Sequence, residues 1–418
     1  MLADPVASAR QAGRTVAGNF AALVLGEAAS RGFTFLASLY LARRLGVERF
    51  GAVEVALAMV VYVQLLVEGG LDTVATRAVA RQPVDRSRYA DNLAGLRLAL
   101  VTFAIAIVGL STVVTHLPPL PRTLLVGFSL AVLPAAFSLN WSFQAAARMR
   151  AVAVAGALTQ AAYLALLVWL VHDAADVGAV PWAYGLSALF GMAVLMLWHR
   201  RRFGQTRPRA DLRFWRATVA DALPILGARV LRAVSFNFDV LLLGAISTTT
   251  AVAYYAAAYR FVLIPVAGFA TFFSALFPAL VTASDEQRTR LARVLLVGVG
   301  VTSLAAAVVL VVIAGPLITF AMGPAYAPAA GTLRWLAWSI PLIAVAGVFR
   351  QVLIARRLQR IDLAAVAIGA MLNVVLNLLL VPGFGVTGAA IATLAGEAAV
   401  LGAAIVGLRL VAAPPTAE

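Results

Sequence analysis

Runs of apolar residues, separated by short polar stretches, recur along the whole chain. A helix needs about 20 apolar residues to cross about 30 Å of hydrocarbon, and the runs have this length rather than the roughly ten-residue alternation of a membrane β-barrel. The pattern therefore predicts a series of transmembrane helices. Twelve windows of this kind lie at residues 19–41, 50–71, 92–115, 121–145, 151–172, 177–198, 218–244, 252–281, 291–321, 331–354, 362–381 and 386–409.

The composition assigns these runs to lipid rather than to a protein core. Hydrophobic residues make up 62% of the chain and charged residues 12%, and the mean hydropathy is +0.94. Average globular chains are about 45–50% apolar and about 25% charged, so a soluble domain could not bury this excess. We expect the first window to remain as a span, because Glu27 and Arg31 make it unlike the apolar region of a signal peptide. The predicted fold class is an all-α integral membrane protein with about 12 transmembrane helices.

The placement of arginine predicts the orientation, because cytoplasmic loops of membrane proteins collect basic residues. With the N-terminus inside, 22 arginines fall in cytoplasmic segments and 4 in external ones. Both termini are therefore predicted to be cytoplasmic. The same asymmetry explains the formal net charge of +15, so we expect no nucleic acid among the partners.

The longest polar stretch, His199 to Arg216, separates two sets of six windows and reads as a hinge between two lobes. The predicted domains are an N-terminal six-helix lobe (1–203), a cytoplasmic basic linker (204–217) and a C-terminal six-helix lobe (218–418). Leu212, Phe214 and Trp215 stand among arginines at the end of this stretch. That composition suits the membrane interface against anionic lipid.

The two halves carry a weak internal repeat. Leu25–Leu41 aligns with Leu226–Leu242 at a constant offset of 201 residues, and Arg31 and Arg232 are among the identical positions. Six helices in each half give both repeats the same orientation, as in transporters whose halves rock about an axis along the membrane normal. The expected architecture is two pseudo-symmetric six-helix bundles.

Charged residues within the predicted spans are the first candidates for function, because each costs about 2.5–3.5 kcal/mol at the helix centre on insertion scales. Arg31 lies near the middle of the first span, and Arg232 lies at the equivalent depth of the seventh. Arg229 and Asp239 share a helix face with Arg232. One interpretation is a pair of buried ion pairs, Glu27 with Arg31 and Arg232 with Asp239. The other is a cationic patch that lines a cavity and holds an anionic ligand through planar guanidinium groups.

Two acidic residues, Glu27 and Glu68, are the candidates for coupling transport to a proton or sodium gradient. No cofactor beyond such an ion is expected. Asp72 closes the second span and is expected to cap a helix or to pair with Arg77.

Amide side chains form two pairs at a spacing of four residues, Asn140 with Gln144 and Asn373 with Asn377. Interhelical hydrogen bonding is the usual role of such residues in a membrane. Recognition of sugar hydroxyls is the alternative, which makes Asn140 a candidate substrate-binding residue.

Sequence motifs of enzymes are missing from the chain. It contains no Walker A motif, no H-E-x-x-H and no G-x-S-x-G. Cysteine is absent, which excludes thiolate metal sites and a cysteine nucleophile. The predicted external loops are too short to form a hydrolytic domain, so we do not expect an enzyme.

Several stretches resemble the polysaccharide transporter family, the flippases of lipid-linked O-antigen and exopolysaccharide units, within the superfamily of multidrug and toxin extrusion carriers. The stretches that carry the resemblance are LARRLGVERFG (Leu41–Gly51), GGLDTVATRAVA (Gly69–Ala80), LNWSFQAAARM (Leu139–Met149), ALPILGARVLRAVSFNFDVLLLGAIS (Ala222–Ser247), YYAAAYR (Tyr254–Arg260) and LNVVLNLLLVPGFGVTGAAIAT (Leu372–Thr393).

This resemblance implies a V-shaped pair of bundles in the bacterial inner membrane that works by alternating access. The implied cargo is an undecaprenyl-pyrophosphate-linked oligosaccharide, with Arg31, Arg229 and Arg232 facing the pyrophosphate. Implied partners are membrane lipids, a polysaccharide polymerase and glycosyltransferases. The main alternative is a cation-coupled, multidrug-type exporter of small molecules on the same fold. A membrane glycosyltransferase or polymerase and a transport-inactive scaffold are further alternatives, because fold alone does not fix function.

Overall fold

A computed structural model of the protein describes the backbone of residues 5–81, 86–114 and 119–412. Side chains are described over residues 24–80, 86–114, 119–234 and 237–410. Some residues used in the orientation and repeat arguments therefore lie outside the described part, namely the two termini and the side chains of Arg10, Arg14, Arg81 and Phe236.

Thirteen α-helices and three short 3₁₀ segments account for nearly all of the described chain, which contains no β-strand. The α-helices are α1 (Pro5–Glu68), α2 (Leu71–Arg81), α3 (Arg86–Val114), α4 (Pro119–Leu130), α5 (Asn140–Ala145), α6 (Met149–Leu170), α7 (Val180–Phe203), α8 (Leu212–Ile246), α9 (Thr249–Thr282), α10 (Asp285–Met322), α11 (Ala329–Ala337), α12 (Ser339–Ala355) and α13 (Gln359–Ala412). The 3₁₀ segments are Leu133–Phe137, Ala174–Ala179 and Pro324–Tyr326. The all-α prediction is confirmed.

Local sequence explains where several helices begin and end. The Ser284 hydroxyl accepts a hydrogen bond from the Gln287 backbone N–H, and the Gln287 side chain accepts one from the Ser284 backbone N–H. This reciprocal pair is a capping box, which satisfies two backbone donors at the start of α10. The same helix ends at Gly323, whose φ of 105° favours glycine.

Nine helical segments among the described residues are long and apolar enough to cross a membrane. They are Val24–Ala80, Arg86–Val114, Pro119–Ala145, Met149–Leu170, Ala174–Phe203, Thr249–Thr282, Asp285–Met322, Ala329–Ala355 and Gln359–Leu410. The chain is therefore a multi-pass membrane protein. The first and last of these segments, of 57 and 52 residues, are broken by non-helical glycines, Gly46 (φ 73°) and Gly385 (φ 51°). Both glycines fall between two predicted windows, and the count of twelve spans stays a prediction.

The described chain forms two compact units. The N-terminal unit comprises the chain up to Arg49 together with Ala56–Ala233, and the C-terminal unit comprises Phe50–Val55 together with the chain from Val234. The division between the units thus falls within α8. The predicted lobe and linker boundaries, like the cytoplasmic placement of the termini, stay predictions.

Each unit has its own apolar packing. In the N-terminal unit, Trp141 and Phe143 of α5 are buried among side chains of α2, α3 and α6. In the C-terminal unit, the two halves of α13 pack closely at Gly369 and Gly396. A Cβ added to Gly369 would lie 2.7 Å from the Gly396 carbonyl oxygen, which explains why small residues occupy this contact.

Candidate functional site

The predicted arginines lie on α1 and α8, with exposed side chains. Arg31 Nε donates to Glu27 Oε1 at 2.8 Å, and both side chains are 60% exposed. The predicted pair of these two residues thus exists, but it is exposed rather than buried. Exposed pairs of this kind contribute about 0.3–0.5 kcal/mol when spaced four apart on a helix.

Arg229 and Arg232 are both exposed on α8, one turn apart. Neither takes part in an ion pair within the described part of the chain. Arg229 lies close enough to Glu68 to interact with its carboxylate electrostatically. These arginines therefore offer guanidinium groups with capacity to bind an anion, and the cationic-patch interpretation stays a prediction.

Asp239 lies in the C-terminal unit and is enclosed by neutral polar side chains. The Tyr255 hydroxyl donates to its Oδ2 and Asn377 Nδ2 to its Oδ1. The Thr393 hydroxyl lies 3.1 Å from Oδ2, and Asn373 Nδ2 lies 3.4 Å from Oδ1. All five residues are buried, with Asp239 only 5% exposed. We call this group the Asp239 cluster.

The Asp239 cluster corrects the ion-pair interpretation of α8. Every hydrogen-bond partner of the Asp239 carboxylate belongs to the C-terminal unit, and Arg232, seven residues earlier on α8, is not among them. Seven residues correspond to roughly 10 Å along a helix axis, which explains why a shared face does not produce contact. The Asn373–Asn377 pair is likewise not a simple interhelical bridge, because both amides converge on one carboxylate.

The Asp239 cluster has unused hydrogen-bonding capacity. The Oδ1 atoms of Asn373 and Asn377 are buried and have no hydrogen-bond partner among the described residues. Buried oxygens without a donor are costly, and a carboxylate without a counter-charge is more so. Carboxylate, amide and hydroxyl oxygens together are the ligand types that suit a hard cation. The arrangement can hold a proton or a small cation.

A second acid, the half-buried Asp72 of the N-terminal unit, pairs with a buried arginine. Arg97 Nη2 donates to Asp72 Oδ1 at 2.5 Å, and Arg97 Nη1 donates to the Ser138 carbonyl oxygen at 2.9 Å. Arg97 is fully buried. Asp72, which was expected to cap a helix or to pair with Arg77, therefore pairs with Arg97 of α3. Glu68 is half-buried beside this pair and interacts electrostatically with Asp72 and Arg97.

Asn140, a predicted substrate-binding residue, is half-buried at the first position of α5. Its predicted companion Gln144 is at the other end of the same short helix. There Gln144 lines an open depression of about 370 Å³ together with Thr73, Thr76 and Arg77 of α2. The amide of Asn140 and the depression at Gln144 are thus separate features of α5.

Sequence reasoning did not identify four polar contacts of the structure. Tyr255 and Thr393 complete the Asp239 cluster, and Arg97 neutralises Asp72. In the C-terminal unit, Arg260 donates to Glu54, a residue of the short α1 segment that belongs to that unit. A charge inside a predicted span was the available signal for Arg97. No comparable signal existed for Tyr255 or Thr393, since both residue types are common in spans.

Comparison with protein families gives one match. A family model described as "Polysaccharide biosynthesis protein" matches residues 16–284. A search of curated proteins found no significant match.

Solved structures with the same fold include two transporter types. Lipid II flippase MurJ in an inward closed conformation has a TM-score of 0.75 at 12% identity, over 93% of this chain and 87% of that chain. An inward-facing multidrug resistance MATE family transporter of the MOP superfamily has a TM-score of 0.72 at 16% identity, over 91% and 94%. A MOP superfamily transporter from Pyrococcus furiosus has a TM-score of 0.63 at 14% identity, over 95% and 94%. These likenesses establish the fold.

Proposed function

The chain belongs to the polysaccharide biosynthesis protein family, and we propose that it is a flippase that moves an undecaprenyl-pyrophosphate-linked oligosaccharide across the bacterial inner membrane. The observation that carries this proposal is the exposed guanidinium of Arg232 on α8, which takes part in no ion pair among the described residues. An exposed charge on an apolar helix is favourable only where water or an anion meets it. Pyrophosphate fits such a group, because a guanidinium binds two phosphate oxygens at once.

Arg31 and Arg229 extend this anion-binding capacity within the N-terminal unit. Arg31 is paired with Glu27 in the exposed state, so binding of pyrophosphate there would exchange one carboxylate partner for a more highly charged one. Arg31→Lys is expected to impair transport, because a lysine offers a point charge in place of a planar fork. Glycosyltransferases would build the lipid-linked unit before its translocation, and a polymerase would act on it afterwards.

The decisive experiment measures translocation of a fluorescent undecaprenyl-pyrophosphate-linked oligosaccharide in proteoliposomes. Arg232→Ala should lower the rate about tenfold or more, because a hydrogen bond to a charged group contributes about 1.5–3 kcal/mol. Arg122→Ala removes an exposed arginine of α4 and is the matched control; its rate should stay within about twofold of wild type, as for a surface substitution.

Two results would contradict the proposal. Wild-type translocation by Arg232→Ala would exclude Arg232 as a pyrophosphate ligand. Recovery of transport in the double variant Arg232→Ala with Asp239→Ala would mean that Arg232 only balances the charge of Asp239. No recovery is expected, because the hydrogen-bond partners of Asp239 in the structure are Tyr255, Asn373, Asn377 and Thr393.

The Asp239 cluster supports coupling of transport to an ion gradient. A proton or a sodium ion bound at Asp239 would neutralise the buried carboxylate and engage the partnerless Oδ1 atoms of Asn373 and Asn377. This assignment moves the expected coupling role from Glu27 and Glu68, which lie beside arginines, to Asp239.

A cation-coupled exporter of small molecules is the second candidate function, and the same buried carboxylate favours it. An exporter of the multidrug type would move a cationic dye out of proteoliposomes and would be indifferent to Arg232→Ala. A flippase would not move the dye, and its transport of the lipid-linked oligosaccharide would be lowered by Arg232→Ala.

A further inference from the structure

The chain between α7 and α8 is fixed to the first turns of α3. Asp91 of α3 is buried, and its Oδ1 accepts a hydrogen bond from the Arg207 backbone N–H. The Asp91 carbonyl oxygen accepts another from the Arg209 backbone N–H at 3.0 Å. Arg209 Nε lies 3.8 Å from Asp91 Oδ2. The buried Asp91 therefore holds the backbone of the connecting chain at Arg207 and Arg209.

Close packing at Gly95 reinforces this attachment. A Cβ added to Gly95 would lie 1.9 Å from the Arg209 carbonyl oxygen, so only glycine permits the observed approach. The Trp215 indole N–H donates to the Asn92 carbonyl oxygen at 3.1 Å. The Ser87 hydroxyl donates to the Gln205 carbonyl oxygen at 3.0 Å. The connection is thus tied to α3 along its whole length.

This attachment fixes the backbone beneath a dense group of exposed basic side chains, which we call the basic linker surface. Its exposed arginines are Arg200, Arg201, Arg202, Arg207, Arg209, Arg213 and Arg216. The only acidic residue among positions 199–216 is Asp211, whose carboxylate caps the start of α8 by accepting from the Arg213 and Phe214 backbone N–H groups. Leu212 stands among these arginines with 75% of its surface exposed.

We propose that the basic linker surface binds the head groups of anionic phospholipids and so anchors this end of the N-terminal unit to the membrane surface. Its position favours a lipid over an acidic protein, because Arg200–Arg202 form the last turn of α7, a helix apolar enough to span a membrane. Arg200–Arg202 therefore stand at the end of a segment able to span the membrane, where lipid head groups are within reach. An exposed leucine among arginines is typical of segments that insert at that boundary.

A fixed array differs from a flexible basic loop in what it can select. Guanidinium groups at fixed spacing can bind phosphate oxygens of neighbouring lipids with two hydrogen bonds each. A mobile loop would respond to surface charge alone. The attachment to α3 favours binding by the fixed array. The array and a flexible basic loop can be distinguished by changing either the charge or the attachment.

The test measures binding of dioleoyl-phosphatidylglycerol and dioleoyl-phosphatidylcholine to the detergent-solubilised full-length protein by native mass spectrometry. The triple variant Arg201→Gln, Arg207→Gln, Arg213→Gln should bind phosphatidylglycerol about tenfold more weakly, since juxtamembrane arginines each attract anionic lipid. The matched control is the triple variant Arg290→Gln, Arg293→Gln, Arg360→Gln, which removes three exposed arginines of the C-terminal unit. Its binding of phosphatidylglycerol should weaken less than that of the first triple variant, because these arginines attract anionic lipid by charge alone.

A second pair of variants tests the attachment with every arginine retained. Gly95→Ala should displace the connection from α3 and lower the preference for phosphatidylglycerol over phosphatidylcholine. Gly109→Ala in the same helix adds a Cβ that meets nothing within 4 Å and should leave the preference unchanged.

Three results would overturn the proposal: equal binding of both lipids by the wild type, an unaffected Arg201, Arg207, Arg213 triple variant, or displacement of phosphatidylglycerol by polyglutamate at equal charge concentration. If Gly95→Ala keeps the preference for phosphatidylglycerol while the triple variant loses it, lipid binding depends on charge alone and not on the attachment to α3.

Discussion

Two aspartates, the half-buried Asp72 of the N-terminal unit and the buried Asp239 of the C-terminal unit, meet opposite surroundings. Asp72 of the N-terminal unit contacts the guanidinium of Arg97, so a permanent positive charge balances it. Asp239 of the C-terminal unit contacts two amides and two hydroxyls and takes part in no ion pair within the described residues. The charge of Asp72 is balanced within the protein, whereas that of Asp239 is not.

This difference separates a structural charge from an exchangeable one. Arginine stays protonated under all ordinary conditions, so the Asp72–Arg97 pair cannot respond to an ion gradient. A carboxylate surrounded by neutral groups can be neutralised only by a proton or a cation from outside the protein. Substitutions in the Asp72–Arg97 pair should therefore lower stability and leave the ion response unchanged. Substitution of Asp239 should remove the ion response with little loss of stability.

The largest stability effect is expected from Arg97→Met. Removing one member of a buried ion pair leaves the other uncompensated and costs about 3–5 kcal/mol. Here the change also leaves the Ser138 carbonyl oxygen without its donor and removes one of the two arginines that interact electrostatically with Glu68. Unfolding of the detergent-solubilised protein would measure the loss.

A double variant provides the control for this prediction. Arg97→Met combined with Asp72→Leu replaces the pair by apolar side chains and should recover much of the loss, since such replacements are often close to neutral. A double variant as unstable as the single one would show that packing of the guanidinium, rather than its charge, stabilises this site.

An intermediate effect is expected from Tyr255→Phe in the Asp239 cluster. The change removes a hydroxyl that donates to Asp239 and lies 3.0 Å from the Thr393 hydroxyl, while the ring is kept. Leaving a buried acceptor without its donor costs about 1–3 kcal/mol. Tyr259→Phe is the matched control, because this ring stacks on Tyr255 with centroids 5.8 Å apart. Equal losses in both variants would mean that the hydrogen bond to Asp239 contributes no more than any buried tyrosine hydroxyl.

The sequence alone predicted the all-α membrane fold, because apolar runs of about 20 residues indicate helices that cross lipid. The predicted windows also break around Gly46 and Gly385, where the structure interrupts its two longest transmembrane segments. The division of the chain into units was less accessible. Contacts with distant helices place Phe50–Val55 in the C-terminal unit. The local sequence of this segment does not predict contacts with residues so far along the chain.

The candidate site was predictable only in part, because spacing along one helix reveals only the neighbours on that helix. The spacing of Glu27 and Arg31 identified a real pair. The spacing of Arg232 and Asp239 suggested another, whereas the partners of Asp239 come from α9 and α13, which follow it by 16 to 154 residues. Asn373 and Asn377 were recognised as a pair, but their common target could be seen only in three dimensions.

The smallest stability effect is expected from Asp239→Asn. An asparagine has nearly the same shape, and its amide can still exchange hydrogen bonds with Tyr255 and Thr393, while the uncompensated charge is removed. The unfolding free energy should change by less than about 1 kcal/mol, because the desolvation cost of the carboxylate offsets its lost hydrogen bonds.

The ion response should instead disappear. In the wild type, a cation at about 100 times its dissociation constant would stabilise the folded protein by about 2.7 kcal/mol, so the melting temperature should rise with sodium but not with choline, or should rise as the pH is lowered if the ligand is a proton. Asp239→Asn should melt at one temperature under all of these conditions, and Arg97→Met, although less stable, should keep the wild-type response. A loss of stability in Asp239→Asn as large as in Arg97→Met would instead make Asp239 a structural charge like Asp72, and the contrast between the two units would no longer hold.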